Sequence, residues 1–313
     1  MKTVLLTGAT GFLGSHIAEE LVKRGFKVVC LKRNTSNTWR CKAFTHLLHW
    51  LSYENINDIT SNIIEHNPDI LIHAAWNGVK AADRDDWDEQ EKNYVFFAQL
   101  LEIINQTKVA KIIGLGSQAE YGSFNGAVNE DYPLNPNTAY GAAKVKVSAL
   151  LKSYAEKNKV DWYWTRLFSI YGPKEDANWL IPATIKNLIE QSEMPLTACE
   201  QSYDYLFVKD FVEGIRKVAD CKQNLSGTYN LSSNKSLKIK EILSFLENKL
   251  AAGKKLLLFG ALPYRDNQVM HMQGNSGKFY RTFDFSPEHN MENGLNKTIE
   301  YYLNNVKENG SAN

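Results

Sequence analysis

Short continuous apolar runs along the chain take turns with longer stretches in which apolar residues recur every three or four positions. Val4, Leu5 and Leu6 read as a short buried strand. Leu13, Ile17 and Leu21 then share one helical face, Gly25 stops that helix, and residues 28–31 form the next strand. Further apolar strands are expected at 70–73, 112–115 and 162–167, with helical patterns at 89–107 and 140–158 between them. Strand and helix alternating in this way predict βαβ units on a parallel sheet. After Pro173 the pattern loosens into helices at 181–191, 211–219 and 239–250 and a strand at 205–208. The expected organisation is a first domain over 1–173 and a smaller one over 174–313, with some interleaving of segments. No linker rich in Pro, Gly or Ser divides them, so they are expected to share a cleft. The polar tail from residue 304 to 313 reads as frayed.

Composition adds mainly exclusions. The chain has 313 residues, 36 Lys and Arg against 35 Asp and Glu, and 43% hydrophobic residues, the make-up of a globular protein with no basic excess to attract nucleic acid or an anionic membrane. Trp39, Trp50, Trp76, Trp87, Trp162, Trp164 and Trp179 show no spacing of a base-stacking array. Cys30, Cys41, Cys199 and Cys221 form no CxxC pair, His16 and His73 have no ligand-like partners, and no metal is expected. No apolar run approaches the ~18 residues that span a bilayer, and Met1-Lys2-Thr3 leads straight into a strand, so a cytoplasmic protein without a membrane partner is expected.

Candidate chemistry begins at Thr7-Gly8-Ala9-Thr10-Gly11-Phe12-Leu13-Gly14, between the first strand and the first helix. Glycines there let the backbone turn tightly and approach a pyrophosphate, whose charge meets free N–H groups at the helix N-terminus; the alternative is a structural turn. About 20 positions on, where many such sites carry an acid for the ribose hydroxyls, stand Lys32 and Arg33. Cations cannot accept those bonds but can hold a 2′-phosphate, so NADP(H) is expected over NAD(H), against the plain reading of a solvated pair. Tyr140 and Lys144 lie four apart on one helix face, where an ammonium would favour phenolate and let the tyrosine pass protons near neutral pH. Ser117 follows the strand at 112–115, at the sheet edge where a hydroxyl can hold a substrate oxygen. The fold class these features predict is α/β, a Rossmann-type doubly wound parallel sheet with a smaller C-terminal α/β substrate domain.

The glycine segment, His73-Ala74-Ala75, Asn93, Gly116-Ser117 with Tyr121-Gly122, Tyr140 to Lys144, and Arg166-Leu167-Phe168-Ser169-Ile170-Tyr171-Gly172-Pro173 together resemble the extended short-chain dehydrogenases/reductases, nearest the sugar-nucleotide epimerases, dehydratases and reductases. The resemblance runs from residue 1 to about 303. It implies Ser117, Tyr140 and Lys144 as catalytic residues. It implies cofactor contacts from Gly8, Thr10, Gly11, Phe12, Leu13, Gly14, His73, Ala74, Ala75, Asn93, Tyr140, Lys144 and Phe168, beside Lys32 and Arg33. Substrate contacts are implied for Trp76, Ser117, Gln118, Asn178, Leu180 and Arg265, the last pairing with a diphosphate.

Departures from the family pattern narrow the chemistry. The 4,6-dehydratases follow the residue at Ser117 with an Asp-Glu pair for water elimination; here Gln118-Ala119 stands there, and alanine moves no proton. Ser169 stands where Asn is frequent, Tyr203-Asp204 where Arg-Asp is frequent, and Asp58 is too close to His73 to be assigned to the adenine. The expectation is therefore an NADP(H)-dependent 4-ketoreductase of a nucleotide-activated, often 6-deoxy, hexose on a route to surface polysaccharide. The alternatives are an NAD-dependent nucleotide-sugar 4-epimerase and a silent NADP(H)-binding regulatory relative. Apolar residues Val95, Phe96, Phe97, Leu100, Leu101, Ile103 and Ile104 wrap more of their helix than one ~100° core stripe requires, which with the resemblance suggests a homodimer through this helix and the one starting near Tyr140.

Overall fold

The computed structural model describes residues 1–310, with side chains through residue 305. Fourteen strands and nine helices follow one another among the described residues. In chain order they are β1 (Thr3–Thr7), α1 (Phe12–Lys23), β2 (Lys27–Arg33), β3 (His49–Tyr53), α2 (Thr60–His66), β4 (Ile70–His73), α3 (Trp87–Ile104), β5 (Lys111–Ser117), β6 (Gly126–Val128), α4 (Ala139–Asn158), β7 (Asp161–Leu167) and β8 (Ser169–Tyr171). Then come α5 (Leu180–Ile189), β9 (Met194–Leu196), β10 (Ser202–Phe207), α6 (Val208–Asp220), β11 (Gly227–Leu231), β12 (Ser236–Lys238), α7 (Ile239–Leu250), β13 (Leu257–Phe259), β14 (His271–Gly274), α8 (Gly277–Phe283) and α9 (Met291–Gly310).

Seven strands form the parallel sheet, in the order β11-β7-β5-β4-β1-β2-β3. The apolar runs of the central strands β1, β2 and β4 follow from the two-residue period, because both faces are covered. Val4, Leu6, Val28, Cys30, Ile70, Ile72 and Ile113 enter one core, while Leu5, Val29, Leu31, Leu71 and Ile112 enter the other. Helices α1 and α6 pack together, as do α3 and α4. Strand order reverses between β1 and β4, and the crevice outside the carboxyl ends of those strands is where such sheets take ligands.

A smaller sheet runs β12-β10-β14-β6, with β8 paired to β10, and β9 pairs with β13. The chain crosses between the two sheets on both sides of residue 173. Strand β11 and helix α6, from the second half, join the large sheet and its covering layer, whereas β6, from the first half, pairs with β14. The tail differs from its polar reading. Helix α9 continues to Gly310, anchored earlier by buried Leu295 and Ile299 and by the Tyr302 hydroxyl, which donates to the Glu175 carbonyl at 3.2 Å. The expectation for residues 311–313 lies outside the described residues. On α3, Phe97, Leu100, Leu101, Ile103 and Ile104 are buried within this chain, and Phe96 stacks on Tyr53; Val95 stays 47% exposed. Most of the apolar excess on that helix is thus absorbed internally.

Lys111, at the start of β5, is a buried lysine that ties α6 to the large sheet. Its ammonium donates to the carbonyls of Val218 (2.8 Å), Ala219 (3.3 Å) and Cys221, which the end of a helix leaves without partners. Burial pulls its pKa below the ordinary lysine value. Lys111→Met should destabilise the chain by about 2 kcal/mol, since carbonyls inside the protein lose their donor, and urea unfolding of the two proteins measures the difference.

Candidate active site

The dinucleotide loop is shaped by steric necessity at two glycines. Gly8 has φ +76°, and a Cβ there would lie 2.6 Å from the backbone of Ala74 and Ala75; one at Gly14 would lie 2.0 Å from the Gly8 carbonyl oxygen. The loop at the end of β1 therefore touches the end of β4, and α1 starts directly on the loop. Gly11 caps α1 without a side-chain hydrogen bond, so the first-turn N–H groups keep their capacity for an anion. Above them opens a cavity of about 400 Å³ lined by Gly8, Thr10, Gly11, Lys32, Arg33, Tyr53, Ala74, Ala75, Trp76, Asn93 and Phe96, among others. Its size and its open helix N-terminus fit the phosphate-bearing part of a dinucleotide.

Several expected cofactor residues take supporting places. The His73 ring does not line the cavity. It lies buried beneath it, with Nδ1 2.9 Å from Thr7 Oγ1 and the ring 4.5 Å from that of Phe97, and burial with the nearby Lys144 pushes its pKa down to about 3. Phe12 and Leu13 pack against the hydrophobic core, which leaves the cavity their backbone. Phe168 turns its ring toward Phe124 (6.4 Å between centroids) in a cluster with Tyr121, Val128 and Met272, so it too can offer the cavity only main chain. Asn93 lines the cavity and pins its wall, accepting from the Asn77 N–H at 2.8 Å and donating to the Asn77 carbonyl at 3.2 Å.

The strand end of β5 and the first turn of α4 bring Ser117, Tyr140 and Lys144 together. The Ser117 hydroxyl accepts the Ala119 N–H at 3.2 Å and lies close enough to the Tyr140 phenol to favour its ionised form. Lys144 donates to the Leu115 carbonyl at 2.7 Å, with its nitrogen 3.4 Å from the centroid of the Trp76 ring and 5.7 Å from that of Tyr140. Burial pulls the ammonium down, to about 7, against the opposing charge of Glu120. The phenol is not lowered as the four-residue spacing suggested. Burial raises it above its ordinary value, opposed by the nearby Ser117 hydroxyl and by Arg84, while Lys144 is turned to Leu115 and Trp76.

Glu120 and Arg84 were not singled out by the sequence. Glu120 is fully buried under Ser117: one oxygen accepts from the Ser117 N–H (2.8 Å) and the Trp164 indole (2.9 Å), and the other from Arg166 Nε (2.7 Å). Arg166 also donates to the Tyr121 hydroxyl at 3.1 Å, which donates to Asn230 at 2.6 Å. Arg84, between β4 and α3, holds its guanidinium 5.3 Å from the Tyr140 ring centroid and 6.0 Å from that of Trp179. A Glu in the order Ser-x-x-Glu after a strand is the one local signal for the first, since it completes a capping box with Ser117.

On the substrate side the expected residues are less gathered. Gln118 follows Ser117 in a half-buried 3₁₀ turn, and Leu180 packs on the core at the start of α5. Asn178 turns its side chain back to Asp176 (3.0 Å), and Arg265 is exposed near Tyr203. Tyr203, where an arginine is frequent, donates to the Val269 carbonyl at 3.0 Å and accepts from Gln268 at 2.6 Å.

Known proteins resemble this chain along most of its length. The CDP-abequose synthase of Salmonella muenchen is 26% identical over 95% of this chain and 97% of its own. The dTDP-6-deoxy-L-talose 4-dehydrogenase (NAD(+)) of Aggregatibacter actinomycetemcomitans is 26% identical over 83% of this chain and 96% of its own. The crystal structure of dTDP-glucose 4,6-dehydratase from Bacillus anthracis in complex with NAD shares the fold, with a TM-score of 0.85 and 21% identity over 98% of each chain. The sequence pattern of the NAD dependent epimerase/dehydratase family matches residues 4–232, and the chain belongs to that family.

Proposed function

We propose that the chain is a cytoplasmic NADP(H)-dependent 4-ketoreductase of a nucleotide-activated, often 6-deoxy, hexose, serving the construction of a surface polysaccharide. The observation that carries this reading is the gathering of Ser117, Tyr140 and Lys144, the lysine nitrogen 5.7 Å from the centroid of the phenol ring, next to a glycine-loop cavity lined by Lys32 and Arg33. The oxidoreduction at position 4 in the name of the Aggregatibacter relative and the nucleotide sugar in that of the Salmonella relative support it.

The loop of Gly8, Thr10, Gly11 and Gly14 would hold the cofactor's pyrophosphate, with Ala74, Ala75 and Asn93 along its wall and Lys32 and Arg33 on the 2′-phosphate. When bound, the reduced nicotinamide supplies hydride to the carbonyl carbon. Ser117 holds the carbonyl oxygen through its hydroxyl, and Tyr140, beside it, gives its proton to that oxygen as charge develops on it. Lys144 holds the nicotinamide ribose and keeps positive charge close to the phenol. Asn178, Leu180 and Trp76 bound the sugar nucleotide. Arg265 pairs with its diphosphate without a second arginine at position 203. Gln118-Ala119 supplies no acid and base for dehydration. Pairing of two chains through α3 and α4 is supported by exposed Trp87 and Val95 on α3.

Purified enzyme should consume NADPH in equal amount with a 4-keto nucleotide sugar, followed by mass spectrometry, and Tyr140→Phe should lose at least ~100-fold in turnover while still binding cofactor. Ser117→Ala should lose less. Retained NAD+ with 4-hydroxy sugars interconverting and no cofactor consumed would establish a 4-epimerase instead. In binding titrations NADPH should be held at least ~10-fold more tightly than NADH, and Lys32→Asp with Arg33→Asn should erase the preference. Light scattering at micromolar concentration should return twice the 35.6 kDa chain mass; a monomer there overturns the pairing.

A further inference from the structure

The Tyr140 ring is approached by charge from three directions. On its own helix Lys144 lies 5.7 Å from the ring centroid, but it is turned to the Leu115 carbonyl and seated on the Trp76 face. From the turn after β5 comes the Glu120 carboxylate, neutralised by Arg166 of β7 at 2.7 Å. From the connection between β4 and α3 come Asp85, whose carboxylate accepts the Ala139 N–H at 3.3 Å, and Arg84, whose guanidinium lies 5.3 Å from the ring centroid. The rings of Trp76 and Trp179 complete the surroundings and carry no charge.

Three contacts fix Arg84 in this place. Its carbonyl accepts the Tyr140 N–H at 2.8 Å, so the segment that bears Arg84 is stitched to the first turn of α4. Its Nε donates to the Val79 carbonyl at 3.0 Å, and its guanidinium lies within 6.0 Å of the Trp179 ring. Among the described residues Arg84 takes part in no ion pair, so its charge is not spent on a carboxylate. We infer that Arg84 is a positioning residue for the catalytic tyrosine, a second cation beside Lys144 that favours its phenolate. A guanidinium stays charged throughout the working pH range. A cation over the face of a phenol stabilises the ring, and still more the anion formed when it ionises. The inference rests on the assignment of Tyr140 as proton donor but not on which sugar is reduced or epimerised.

The test therefore reads the tyrosine itself. Full-length protein carrying 13Cζ-labelled tyrosine is titrated by NMR, with and without NADP+, and the Tyr140 resonance is identified by its loss in Tyr140→Phe. In Arg84→Gln the phenol should titrate about one pH unit higher than in the unaltered protein, because an opposite charge at this range has been removed. Arg84→Lys, which keeps a cation on the same stem, should restore more than half of that difference. An unchanged midpoint in Arg84→Gln overturns the inference, and so does an Arg84→Lys midpoint as high as that of Gln, which would make the residue a packing element rather than a charge. Neither readout needs a substrate, so a failed reductase assay leaves this result standing.

Discussion

The buried pairing of Glu120 with Arg166 is the constraint on which the placing of Ser117 at the end of β5 depends. A carboxylate removed from water is tolerable only when its lone pairs are filled, and here Ser117 N–H, the Trp164 indole and Arg166 Nε do so within 2.7–2.9 Å. Filling them joins the end of β5 to β7. Through the Tyr121 hydroxyl and Asn230, whose amide donates to the Val128 carbonyl at 3.0 Å, the same network reaches β11 and β6. The backbone that bears the Ser117 hydroxyl is thus fixed by polar bonds that run through both sheets.

Around that network the site is unusually poor in free charge for its number of ionisable groups. Burial raises Tyr140 and lowers Lys144 and His73, each toward its neutral form. Burial of this kind favours, for each group, the form that carries no charge. It also gives weight to the few charges that persist, Arg84 beside the phenol and Lys32 and Arg33 at the cavity wall.

Much of the large sheet was legible because its strands are covered on both faces and its first helix is bracketed by Gly11 and Gly25; β4 and α7 match their apolar patterns to the residue. Strand β3 escaped notice because His49–Tyr53 lies at the sheet edge, half exposed, and shows no apolar run. Strand β11 carries Gly, Thr and Asn among its five residues and owes its place to pairing with β7, some sixty positions away, which no local pattern records. The same division holds at the site. Ser117, Tyr140 and Lys144 stand out by spacing, whereas Arg84 sits in Ala-Asp-Arg-Asp-Asp-Trp-Asp, a stretch that reads as solvated charge, and only the fold turns it toward a ring.

The crossing of the chain between its two sheets bears on how such an enzyme can change over time. Strand β6 is borrowed by the small sheet, and β11 with α6 is returned to the large one, so no single cut frees a substrate-binding half from a cofactor-binding half. Recombination that exchanged everything after residue 173 would carry away an edge strand of the large sheet and leave β6 without its partner. New sugar specificities in this architecture must therefore arise by point changes and loop grafts within an intact chain rather than by shuffling whole modules.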